Sequence, residues 1–249
     1  MERRPGVVQV TFNRPQKHNA FTHAMYGALH ELCDELASDE SVKVLVLTGT
    51  GGRAFAAGNE ISDFLSRDAV DYEDWIRALL EKLFALPQVT IAAVDGVCVG
   101  GGLAVATHCD LRVATPHSRF GYPIARTLGN ALSAVILERC VAVFGESIAR
   151  EMLLASRMIT ADRAFAVGAL AAVVPAEELD GWVADLTKGI RRAAPGTIAT
   201  TKAQLLRRAD HLLDDAGDDA MLVERYSSAD FREGVRAFSA GEKPGFTGS

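Results

Sequence analysis

The sequence predicts an α/β protein, and three features carry that prediction. Two short runs, Val42 to Leu47 and Val89 to Val94, are almost wholly apolar and rich in β-branched residues, as strands covered on both faces should be. Beside them lie stretches whose apolar residues recur every three or four positions, the spacing of one helix face. The chain has 249 residues, 49% of them hydrophobic and 23% charged, with no Ser/Pro-rich or charge-run linker. One core with an appendage is therefore expected, and a disordered or collagen-like chain is excluded.

In chain order, Val7, Val8, Val10 and Phe12 form a short strand that ends in the turn chemistry of Asn13-Arg14-Pro15, followed by a loop to Asn19. Phe21, Met25, Leu29, Leu32 and Leu36 then mark one face of a helix, with Thr22 placed to cap it. After the strand at Val42 to Leu47, Phe55-Ala56-Ala57-Gly58-Asn59 reads as a Gly/Ala-rich loop. A second helix is expected from Tyr72 to Leu86, stopped by Pro87, and the strand Val89 to Val94 leads into a glycine cluster. Cys109 to Ala114 is a further strand. Beyond Asn130 helical spacing dominates through Val135, Ile136, Val143, Met152 and Leu153, and after Pro195 the chain reads as helices almost throughout.

Composition removes several function classes. The 26 Lys and Arg against 32 Asp and Glu give a net charge of -6, which argues against a nucleic-acid partner while leaving room for two or three local cations on a phosphate-bearing ligand. Cys33, Cys98, Cys109 and Cys140 are far apart and the first residues lead into a strand, so a reducing cytoplasm is the expected location. Val89 to Cys109 is apolar but is cut by Asp95 and four glycines, short of the roughly 20 residues a membrane span needs. The six histidines show no metal-ligand spacing, and His108 reads as a hydrogen-bonded core residue, so no metal is expected. Gly49-Thr50-Gly51-Gly52-Arg53-Ala54 matches a dinucleotide-binding spacing, with Asp68 and Asp71 about 20 residues on, yet the residues that follow do not open the long helix such a site requires.

Two segments carry more information: Phe55-Ala56-Ala57-Gly58-Asn59-Glu60-Ile61, and Asp95-Gly96-Val97-Cys98-Val99-Gly100-Gly101-Gly102-Leu103-Ala104. Each follows a buried strand, and in α/β proteins ligands collect beyond the carboxyl ends of strands. Three consecutive glycines expose backbone N–H groups where the next helix begins. Two such groups converging from two loops make an oxyanion hole, able to polarise a thioester carbonyl and stabilise its enolate. Close helix packing is the other use of a glycine triplet, and the residues alone leave both open.

These segments, with Asn13-Arg14-Pro15, Asn19-Ala20-Phe21, Val44 to Gly49, Cys109-Asp110-Leu111-Arg112-Val113-Ala114, Phe120-Gly121 and Asp230 to Phe238, occur in an order that resembles the crotonase superfamily, the enoyl-CoA hydratase/isomerase family. The resemblance covers nearly the whole chain. It implies a crotonase-type spiral of ββα turns over residues 1–194, with a C-terminal helical region, 195–249, used to form a homotrimer or a dimer of trimers. It also implies an acyl-CoA thioester substrate, whose coenzyme A is part of the substrate and not a separate cofactor. By position, the oxyanion donors are the N–H groups of Asn59 and Gly101; Ala57, Gly58 and Gly100 border the substrate, and Lys17, Arg53 and Lys243 match the cations near its phosphates.

The resemblance fails at two places. Hydratases of this family carry one glutamate three residues after the middle glycine and a second after the next strand, where this chain has Ala104 and Ile124. A methyl and a butyl group move no protons. The segment from Gly121 to Asn130 contains no Asp or Glu and offers Tyr122, Arg126, Thr127 and Asn130, of which Arg126 is the candidate anchor for a polar acyl group or anion. The remaining acid/base candidates are Glu60 and Asp63, with His108 and Tyr72 behind them. The expected activity is an atypical hydratase, isomerase or lyase reaction; the alternative is a non-catalytic acyl-CoA-binding or scaffold protein.

Overall fold

The computed structural model describes residues 1–62, 69–210, 223 and 226–246. Its strands, numbered in chain order, form two sheets. The first runs β1 (Glu2–Arg4), β2 (Val7–Phe12), β3 (Val44–Gly49), β5 (Val89–Val94), β7 (Leu111–Ala114) and β10 (Ala172–Val173); the second runs β4 (Ala54–Ala57), β6 (Val97–Val99), β8 (Arg119–Gly121) and β9 (Ile159–Thr160). Every pairing from β2 through β7 and from β4 through β8 is parallel, with Val7, Val44 and Val89 in register across three strands. Each circuit thus lays one strand in each sheet and then a helix: β3, β4 and α2 (Ala69–Ala85); β5, β6 and α3 (Gly101–His108); β7, β8 and α4 (Ile124–Thr127). This is a spiral of ββα turns.

Alternation along the strands explains the layering. Leu45, Leu47, Ala92 and Val94 face the main core with α1 (His23–Ala37) and α2, while Val44, Val46, Ile91 and Val113 face the other way, against Leu179 and Val183 of α8 (Ala176–Ile190). Both faces of the first sheet are covered, which is why its strands read as continuous apolar runs. Thr22 caps α1 as expected, its hydroxyl accepting from the Met25 N–H at 3.2 Å.

The structure corrects the sequence reading at the short strands, β4, β6 and β9 of the second sheet and β10 at the edge of the first. Phe55 to Ala57 belong to a strand instead of a loop, and so do Val97 to Val99; β9 and β10 were not anticipated. These strands have two to four residues, too few for a period to show, and they owe their pairing to the stacking of successive turns rather than to local propensity. The start of β4 at Ala54 also removes the dinucleotide reading, since a strand stands where that motif needs a helix.

Between the spiral and the chain's end lie α5 (Ala134–Phe144), α6 (Glu146–Leu154), α7 (Ala161–Ala166), α9 (Pro195–Asp210) and α10 (Ala229–Ala240). The described residues after Pro195 are bound into their own chain. Lys202 of α9 is buried, its Nζ donating to Gln88 O at 2.7 Å and pairing with Asp110 Oδ2 at 2.6 Å. Tyr226, Phe231 and Val235 join the main core, and Gly234 lies so close to the Leu128 backbone that a Cβ has no room. Among the described residues no helix is long and apolar enough to cross a membrane.

Candidate active site

The site begins with a strap. Asn19, fully buried at a left-handed φ of 56°, donates from Nδ2 to Thr50 O (3.0 Å) and Ala54 O (2.7 Å), and its Oδ1 accepts from the Arg14 N–H (2.8 Å). The strap then pairs with the segment following β4: Ala57 N–H donates to His18 O, Phe21 N–H to Gly58 O and Glu60 N–H to Phe21 O, at 3.0, 2.8 and 2.7 Å. Asparagine tolerates this φ better than other side-chain-bearing residues and supplies donors and an acceptor together. The Asn13 to Phe21 motif therefore fixes where residue 59 stands.

The glycine triplet lets neighbouring segments pack backbone to backbone. Gly100 adopts φ 52°, and a Cβ there would sit 3.3 Å from the Gly58 Cα, so the two segments meet backbone to backbone. A Cβ at Gly101 would collide with Asn59 Oδ1 and the Tyr26 hydroxyl, and one at Gly102 with the Ala56 carbonyl. The Tyr26 hydroxyl, whose pKa burial pushes well above its usual value, stays protonated and donates to Asn59 Oδ1 at 2.7 Å, locking that side chain against Gly101. The Asn59 N–H points away from the bridge with Phe21, and Gly101 is the first residue of α3, whose opening N–H groups have no intrahelical acceptor. Among the described residues neither N–H is engaged.

Asn59 and Gly101 both line a cavity of about 210 Å³. Ala57, Gly58 and Gly100 border it beside the two donors, and Ala104, Tyr122, Ile124, Thr127 and Asn130 form further walls. Ala104 and Ile124 are buried and present only hydrocarbon to it. The far end of α3 is held as firmly as its beginning. Arg112 caps it, donating to Cys109 O at 2.6 Å, Asp110 O at 3.1 Å and Ala106 O at 3.2 Å. His108, buried in the last turn, lies with Nδ1 2.7 Å from Ala104 O; burial first, then the nearby Arg139 and Arg112 charges, push its pKa down to about 3 and keep it neutral. His108 faces away from the cavity as a core residue.

Other expected site residues are placed elsewhere. Glu60 is ion-paired with Arg14 at 2.9 Å, each side chain 25% exposed, and Arg14 also donates to Ala20 O at 2.6 Å; this carboxylate clamps the strap and does not line the cavity. Asp63 and Asp68 lie outside the described residues. Lys17 and Arg53 are exposed near the strap and at the start of β4, while Arg126 and Lys243 border a separate groove that shares Thr127 and Phe238 with the cavity.

Sequence reasoning missed the acidic residue of the described cavity wall. Glu73 of α2 is 8% exposed, is the one Asp or Glu among the described lining residues, and accepts a hydrogen bond from the Tyr226 hydroxyl. That hydroxyl in turn accepts from Asn130 Nδ2 at 3.2 Å, and the nearby Glu73 charge joins burial in raising the Tyr226 pKa well above its usual value. The available signal was Glu73 itself: it stands on the apolar stripe Ile76, Leu80, Leu83, where a charge needs a reason.

Comparison with known proteins identifies the family and the fold. The model of the family described as enoyl-CoA hydratase/isomerase matches residues 2–249. A Thermus thermophilus protein named as a putative enoyl-CoA hydratase is 32% identical, over 97% of this chain and 98% of its own. The 2,3-dehydroadipyl-CoA hydratase of Escherichia coli is 31% identical, over 100% and 98%. Among solved structures, methylmalonyl-CoA decarboxylase in complex with 2-nitronate-propionyl-CoA superposes with a TM-score of 0.90 at 28% identity, covering 100% of this chain and 97% of that one.

Proposed function

Because the chain belongs to the enoyl-CoA hydratase/isomerase family, we propose that it binds a short-chain acyl-CoA thioester and stabilises its enolate between the N–H groups of Asn59 and Gly101, as an isomerase or lyase and not as a water-adding hydratase. The observation that carries this reading is a cavity with two unengaged backbone donors on one side and only the methyl of Ala104 and the butyl of Ile124 at the two hydratase carboxylate positions. Donors of this type favour the oxygen once it carries negative charge, so they lower the barrier to forming an enolate whichever bond at the α carbon breaks. Hydration asks for more, because a water must be deprotonated and a carbon protonated in place. The small cavity suits a short acyl chain, and the ligand named in the 2-nitronate-propionyl-CoA complex is itself short. In the same reading Lys17 and Arg53 lie near the coenzyme A phosphates, and Arg126 and Lys243 serve the adjoining groove.

The test pairs two assays. Crotonyl-CoA hydration is expected to be slow, since each positioned acid or base contributes about 10² to 10⁴ in rate, while the α protons of butyryl-CoA exchange measurably in deuterated water. Brisk hydration overturns the reading. Binding without any exchange replaces it with the non-catalytic acyl-CoA-binding alternative.

A further inference from the structure

We propose that Glu73 is the acid/base of this site, held by a Tyr226–Asn130 relay, and that the substrate class is a 3-enoyl-CoA or another acyl-CoA whose reaction is a proton shift. The inference rests on the enolate reading above and adds the group that moves the proton. Four observations converge on it. Glu73 lines the same cavity as the Asn59 and Gly101 donors, it is buried, and among the described residues the rest of the wall is apolar groups, backbone, hydroxyls and the amides of Asn59 and Asn130. Its carboxyl is oriented through one oxygen by the Tyr226 hydroxyl, which is itself oriented by Asn130. It stands on α2, whereas the two hydratase positions lie on α3 and α4. A carboxylate is costly on the buried stripe of a helix, and a Gln or Met would fill the volume without that cost.

The step balances without a co-reactant. The Glu73 carboxylate takes a proton from the α carbon; the C–H electron pair becomes the Cα–C1 π bond of the dienolate, whose oxygen rests between the two N–H groups. The protonated Glu73 then returns the proton to the γ carbon, and the 3,4 double bond moves to the 2,3 position. Acid and base are one carboxyl, so the absence of carboxylates at positions 104 and 124 is no obstacle to this reaction.

The experiment measures 3-butenoyl-CoA isomerisation and butyryl-CoA α-proton exchange in the parent and in Glu73→Gln, with butyryl-CoA affinity and thermal unfolding measured alongside. Gln keeps the shape and still accepts from Tyr226, so the fold and affinity should persist while both rates fall by about 10² to 10⁴. Glu73→Asp should recover part of the loss. Tyr226→Phe tests the positioning role: kcat should fall while KM holds, a split that general loosening of the fold does not produce. A folded Glu73→Gln that exchanges at the parent's rate overturns the assignment of Glu73 and leaves the enolate reading intact. A parent that neither isomerises nor exchanges overturns both.

Discussion

The two walls of the cavity are built in opposite ways. The donor wall is made of backbone: its N–H groups are placed by hydrogen bonds between nearby parts of the chain and by glycines that let two segments touch. The carboxylate wall is made of side chains from distant places, Glu73 and Asn130, joined behind the wall by the Tyr226 hydroxyl. A backbone donor is secured by shape and changes only when the chain path changes. A side-chain acid or base can be moved to another element by single substitutions. On the proposed reading, one enolate-stabilising frame can thus host different proton chemistry, as long as some side chain reaches the cavity.

Perturbing each wall separately sharpens the contrast. Gly101→Pro removes one donor outright and also pushes a side chain into Asn59 and Tyr26; the rate of α-proton exchange should fall by about 10² to 10³, the cost of losing one donor of this kind. Asn59→Ala is its control, because the donor at residue 59 is backbone. It should leave exchange within a few-fold while lowering stability by about 1 to 3 kcal/mol through the stranded Tyr26 hydroxyl, read as a shift in urea midpoint. Exchange unaffected by Gly101→Pro in a folded protein would break the comparison at its root.

A second perturbation reaches the donor wall from behind, through pH. His108 has a folded pKa of about 3 against the usual 6.5, so the unfolded chain binds a proton that the folded chain refuses. Its contribution to stability is complete above pH 6.5 and is lost as the pH falls from there toward 3, by up to about 1.4 kcal/mol per pH unit. The urea midpoint of the parent should therefore decline on acidification more steeply than that of His108→Gln; parallel curves would refute the assignment.

The smallest effect is expected at Glu60. A partly exposed pair with Arg14 is worth about 0 to 1 kcal/mol, so Glu60→Gln should alter unfolding slightly and isomerisation by no more than a few-fold. A loss as large as that of Glu73→Gln would return the acid/base role to the strap, and the division between the two walls would fail.

Sequence alone made the donor wall readable for the same reason that the wall is robust. Its parts are local motifs, and a glycine triplet opening a helix has few physical uses. The Asn13 to Phe21 motif was recognisable too, although its work, holding residue 59 in place, shows only when Asn19 is seen bonded to Thr50 and Ala54. The large strands of the first sheet were legible because burial on both faces leaves continuous apolar runs, and the short strands of the second were not because each depends on the turn before it. Glu73 escaped because its place on the apolar stripe of its helix is a weak signal by itself, and its partners stand at positions that no spacing rule connects. Glu60 was singled out instead for its place beside Asn59, but neighbours in sequence on an extended segment point to opposite sides.

The Tyr226 to Glu73 bond joins residues 153 positions apart, whereas Tyr26 meets Asn59 across 33 and Asn19 meets Ala54 across 35. Closing a long loop costs more chain entropy than closing a short one, and during synthesis it must also wait for the later residues to be made. The oxyanion half can therefore organise once the chain has passed the first turn of α3, while the proton-handling half is completed only when the segment bearing Tyr226 has docked. In the proposed mechanism catalytic competence is a report on the last stage of folding: a chain whose spiral is formed but whose later helices are still loose would already hold a thioester oxygen, without an oriented carboxyl to act on the carbon beside it.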